Sequence, residues 1–174
     1  MENDRSGSKR PDRTAAPAPA HDGARDFDFL IGEWTVRHRR LTRRLAGDSE
    51  WIEFAGPASV RTILAGWGNL DECEIALPSG AYAGATLRLF NPRTALWTIW
   101  WMDSRNPALD PPMIGQFENG RGLFFGDDTF EGTPIRVRFI WASLPDGQCT
   151  WEQAFSADGG HTWETNWTMN FTPA

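Results

Sequence analysis

His38 is the side chain in this sequence with the widest chemical reach. It alternates in phase with Trp34 and Val36 along an extended segment, so it shares a face with apolar residues. Were that face buried, a neutral imidazole there could hydrogen-bond a ligand, act as an acid or base, or ligate a haem iron. A hydrogen-bonded structural histidine is the commoner role for such a position. His161 falls in a turn, where exposure is expected.

Carboxylates form the second candidate set. Asp103, Asp110, Asp127 and Asp128 fall at strand ends and loops that could share one rim. Acid–base pairs need carboxyl groups about 5 to 10 Å apart, which positions on separate strands do not guarantee. Turn capping is the simpler role for them. Arg88, Arg136 and Arg138 alternate with apolar residues, as do Glu152, Glu164 and Asn166. That phase either faces solvent, leaving Val137, Phe139, Trp141, Trp163, Trp167 and Met169 inside, or lines a polar cavity. The outward phase is the expectation, because it buries the larger apolar set.

Other chemistry has little support. Nucleophile signatures, Gly-rich phosphate loops and HExxH are missing, and the one lysine, Lys9, lies near the N-terminus, which excludes Schiff-base chemistry further along the chain. Cys73 and Cys149 are far apart and outside any CxxC, so two reduced thiols are expected rather than a disulfide framework or zinc site. Neither a metal nor a cofactor is expected. The formal net charge of −6, without clustered basic residues, argues against a nucleic-acid partner. No apolar run approaches the ~20 residues of a membrane helix, and no apolar stretch near the start resembles a signal peptide. A cytoplasmic location is the expectation.

The elements that must position these residues are short strands. Ten tryptophans lie between Trp34 and Trp167, on segments separated by Gly, Pro, Asn or Asp. Alternating patterns mark strands near residues 33–42, 51–65, 69–77, 85–90, 96–103, 113–118, 121–126, 135–143, 148–156 and 163–171. Gly56-Pro57 reads as a bulge or bend, since proline cannot donate within a ladder. Asn119-Gly120 is a strong two-residue hairpin signal. Short turns make consecutive strands antiparallel neighbours, and a meander this long closes more readily than it stays open. The fold class expected is therefore all-β: an antiparallel up-and-down barrel of about ten strands, with a short N-terminal helix at residues 26–32. Residues 1–25, rich in Pro, Ala, Gly, Ser and charge, cannot offset the entropy of ordering and read as a disordered tail before a single domain spanning 26–174.

Two motifs sharpen this. Ser156-Ala157-Asp158-Gly159-Gly160-His161-Thr162-Trp163 matches the S-x-D-x-G-x-T-W turn that sialidase propellers repeat. A single copy reads as a structural turn, not a glycosidase. Phe27-Asp28-Phe29-Leu30-Ile31-Gly32-Glu33-Trp34 places an apolar turn before Gly-x-Trp at the first strand. Together with Leu87-Arg88-Leu89-Phe90-Asn91-Pro92, Trp97-x-x-x-Trp101-x-Asp103 and Phe117-Glu118-Asn119-Gly120, it resembles an uncharacterised family of lipocalin-like, calycin-type bacterial domains. The resemblance implies a barrel with room for a cavity and carries no activity with it. Haem-binding nitrobindins resemble the same barrel class, but no second motif here places a proximal histidine.

The expected function is binding of a small apolar or aromatic molecule in a cavity lined by Trp34, His38, Trp101 and Asp103, joined by Arg88 and Arg138 if their phase turns inward. The alternative is a cavity enzyme, of isomerase or cyclase type, with His38 or Asp103 as acid or base. A third reading is a filled barrel acting through its surface. An exposed aromatic strip would favour a homodimer.

Overall fold

The computed structural model describes residues 23–174. Ten strands follow one another: β1 (Gly32–Leu41), β2 (Trp51–Ile63), β3 (Gly68–Leu77), β4 (Gly80–Asn91), β5 (Leu96–Asp103), β6 (Met113–Glu118), β7 (Arg121–Phe130), β8 (Thr133–Ser143), β9 (Cys149–Ser156) and β10 (Glu164–Pro173). Each pairs antiparallel with its chain neighbours, and β1 also pairs with β10, from Trp34 opposite Pro173 to Arg40 opposite Trp167. The barrel is closed, so no strand leaves an unpaired edge.

Several local expectations change. The N-terminal helix is a single 3₁₀ turn, Asp28–Leu30, without a side-chain cap. Only three residues separate Asp28 from Gly32, too few for a helix once Phe27 and Leu30 are drawn into the barrel. The strand β4 begins earlier and β7 ends later than their apolar patterns, because sheet pairing carries on past the hydrophobic residues. Of the bulge or bend expected at Gly56-Pro57, the bulge is absent: Gly56 and Pro57 pair in unbroken register with Val36 and Thr35. The β2–β3 ladder starts only at Ala58 opposite Cys73, so the missing proline N–H falls beyond its end. The bulge lies instead on β10, between Thr165 and Trp167. The chain is already packed before Arg25: Ala24 is buried, and the Gly23 carbonyl accepts a 2.9 Å hydrogen bond from the Trp97 indole. The tail reading for residues 1–22 lies outside the described residues.

One end of the barrel is plugged. Phe27 stacks on Phe124 and meets Trp97, Phe117 and Trp141 edge-on, with centroids 4.8 to 5.8 Å apart. Trp34 closes the same end, its indole N–H donating to the Leu30 carbonyl at 2.8 Å. These contacts satisfy the one polar atom of Trp34 while burying its ring, the combination that stabilises a buried tryptophan. The thiols of Cys73 and Cys149 are free, and burial pushes both up to about 12, so they stay protonated at neutral pH. No helix among the described residues is long and apolar enough to cross a membrane.

Candidate functional site

Above the plug, the barrel holds a cavity of about 320 Å³ that reaches solvent at the opposite end. Which side chains line it follows from strand phase. Along β1 the inward set is Trp34, Val36, His38 and Arg40; along β8 it is Ile135, Val137, Phe139 and Trp141. The middle of the cavity is aromatic, with Trp141, Trp151, Trp167 and Phe139 in mutual edge or tilted contact.

His38 is on this wall and only 2% exposed. Its ring stacks on Phe54 with centroids 4.5 Å apart, and the Trp167 indole donates to its Nδ1 at 3.2 Å. An accepting Nδ1 places the proton of the neutral ring on Nε2, and Nε2 has no hydrogen-bond partner. Burial pushes the histidine down to about 4, so it is uncharged at neutral pH. His38 Nε2 and the Trp141 indole Nε1 are thus two ring N–H donors without a partner among the cavity's aromatic residues.

Arg88 occupies the cavity floor, against the expectation that its phase faces solvent. Its guanidinium lies against both the Phe27 and Trp141 rings, pairs with Asp71 at 2.6 Å and donates to Asn69 Oδ1 at 2.9 Å. Asn69 faces it in register from β3, Asp71 stands at the next inward position opposite Thr86, and the Asp71 carboxylate neutralises a charge that the interior would otherwise reject. Arg136 and Arg138 do point outward. Arg138 is not in the cavity: it pairs with Glu152 at 3.4 Å and lies over Trp163 on the outer face. Trp163 is outside as well, whereas Trp167 and Met169 line the cavity. The β10 bulge is the reason, because one extra residue between Thr165 and Trp167 reverses the alternation.

Among the other expected site residues, Trp101 and Asp103 reach the cavity, and Trp34 does not, being used in the basal closure. The Trp101 ring reaches diagonally over Gly84 of β4, where a Cβ would overlap it. Gly84→Ala is therefore expected to displace the indole and destabilise the barrel by about 1 to 3 kcal/mol, the usual cost of overpacking. Chemical denaturation would read this, and an unchanged midpoint would show that the ring can shift freely.

Asp103 stands at the mouth, held by Arg105 through hydrogen bonds of 2.6 and 3.1 Å that bring its carboxyl down to about 2. Asp110 sits nearby, its pKa raised by partial desolvation and by the charges of Asp128 and Asp103. The sequence reading missed Arg40, Arg44, Asp71 and Tyr82, which also line the cavity. Arg40 was within reach of it, being two residues beyond His38 on the same face.

The Ser156–Trp163 turn is structural, as its single copy suggested. The Asp158 carboxylate accepts from the Thr162 hydroxyl and from the Thr162 and His161 amides, while the Trp163 indole donates to the Gly160 carbonyl. His161 is exposed there, its Nδ1 against the Asp158 carbonyl. Among the described residues, no group of three or more His, Cys, Asp or Glu side chains could hold a metal ion.

No family model matches the chain, and no curated protein matches it significantly. The ten-strand barrel agrees with a calycin-like architecture, and the family remains a resemblance carried by the motifs themselves.

Proposed function

We propose that this barrel binds a small apolar or aromatic molecule in its cavity, with His38 donating a hydrogen bond to it. The observation that carries this reading is a cavity of about 320 Å³ with aromatic walls and two unpartnered ring N–H donors, His38 Nε2 and Trp141 Nε1, among its lining residues. Ligand sites have this composition: apolar surface for affinity and few polar groups for orientation. An apolar cavity of about 150 Å³ accepts benzene. On that scale a two-ring aromatic, or an aliphatic molecule of similar bulk, fits here.

Acid–base catalysis in the same cavity is less well supported. A general base works best with a pKa near the ambient pH. Asp103 is held near 2 by Arg105, and His38 turns an N–H rather than a lone pair outward from its bond with Trp167.

The test uses a neutral aromatic probe, N-phenyl-1-naphthylamine. Saturable quenching of tryptophan emission at about one probe per chain is expected, because Trp101, Trp141, Trp151 and Trp167 all border the cavity. Quenching that rises without saturation would sink the binding reading and favour a barrel that acts through its surface.

A further inference from the structure

Two arginines at the cavity mouth turn their charge to the cavity. Arg40 ends the inward row of β1, and Arg44 follows in the loop between β1 and β2. Each guanidinium is held over aromatic rings: Arg40 at 4.8 Å from the Trp167 centroid, Arg44 at 4.4 Å from Phe130 and 5.5 Å from Phe155. The loop that carries Arg44 is fastened to β10 by the Leu45 amide, which donates to Glu164 Oε1 at 2.7 Å. Stacking occupies the faces of these cations and leaves their in-plane N–H donors free. Among the described residues neither makes an ion pair, whereas Arg88 and Arg105 at the same cavity are each matched to an aspartate.

We propose that Arg40 and Arg44 form a carboxylate-binding site at the mouth, so that the molecule taken up is an amphipathic monoanion with its apolar body in the barrel. This rests on the cavity-binding reading above and names the class of ligand. A fork of N–H donors matches a carboxylate in bidentate geometry, and the pair is strongest where water is partly excluded. Arg105, stacked at 3.6 Å on Tyr82, has its charge matched by Asp103, and Glu131 partly offsets Arg44. Asp103 and Asp110 belong to β5 and the loop between β5 and β6, whereas Asp127 and Asp128 stand on β7, the strand whose Phe130 ring Arg44 covers. These carboxylates oppose a phosphate dianion at the mouth more than a carboxylate. The floor is the wrong place for the anion, since Asp71 already satisfies the Arg88 charge. Burial lowers the pKa of both arginines, and for Arg44, brought to about 10, the Arg40 charge adds to it. Both stay protonated at neutral pH, at a cost that a bound anion relieves.

The experiment compares 1-naphthaleneacetate with 1-naphthaleneacetamide, which share rings and shape and differ in charge, by titration of tryptophan emission in the full-length protein at neutral pH. The carboxylate is expected to bind about tenfold tighter or more, and 0.5 M salt to erode that advantage. Arg40→Gln with Arg44→Gln should bring the carboxylate down to the affinity of the amide; should this pair fail to fold, Arg44→Gln alone, in the loop, should remove part of the advantage. Equal affinity of the two probes for the wild-type protein, or an advantage insensitive to salt, overturns the carboxylate site while leaving the cavity reading intact. Saturation by neither probe overturns both.

Discussion

Arg88→Met is expected to lower the melting temperature by on the order of 10 °C. Arg88 is 2% exposed, and it is the partner of the buried Asp71 carboxylate. Without it, Asp71 keeps the 3.1 Å hydrogen bond from the Thr86 amide but loses its counter-charge, and Asn69 Oδ1 loses its donor. Removing one half of a buried ion pair costs about 3 to 5 kcal/mol. In a domain of this size each kcal/mol shifts the melting point by about 2 to 4 °C. The companion variant separates the charge from the packing: Arg88→Met with Asp71→Val removes both charges, and it should recover most of the loss because an apolar replacement of a buried pair is often neutral. Thermal melts followed by circular dichroism decide it. A single-variant drop below about 2 °C would mean that water reaches the floor and screens the pair.

His38 should make the barrel acid-sensitive in a defined window. In an unfolded chain its imidazole protonates near 6.5, and in the folded barrel burial holds it at about 4. Between those values the unfolded state binds a proton that the folded state refuses. Its contribution is therefore complete above about pH 6.5 and is lost as the pH falls towards 4, by on the order of 3 kcal/mol in all. His38→Phe fills similar space and keeps the aromatic contact with Phe54, but has no proton to take up. Its stability should fall less steeply than that of the wild type between pH 7 and pH 4. Asp26 and Asp110, whose carboxyl pKa values are raised, change stability in the opposite sense over the lower part of this range. They are common to both proteins and cancel in the difference. Denaturant midpoints measured across the window give that difference directly, and parallel curves would show that His38 is solvated enough to titrate normally.

Alternation along each segment, and turns too short for anything but antiparallel neighbours, were enough to determine the strands and their closed meander. Both signals are local, so no knowledge of distant residues was needed. His38, Trp101 and Asp103 were legible as cavity residues for the same reason, each lying in phase with apolar neighbours. Inside and outside are another matter. A period of two looks the same from either face, and only closure of the barrel selects one. That choice turned Arg88 inward, where Asn69 and Asp71 on the adjacent strand receive it, and left the similarly spaced Arg138 outside with Glu152. It also divided Trp163 from Trp167, because the bulge that reverses their phase comes from pairing with β9 and leaves no mark in β10 alone. Arg40 and Arg44 look like ordinary solvated residues at a strand end. Their place at the cavity mouth depends on rings from β7, β9 and β10, brought beside them only when the last strand closes on the first.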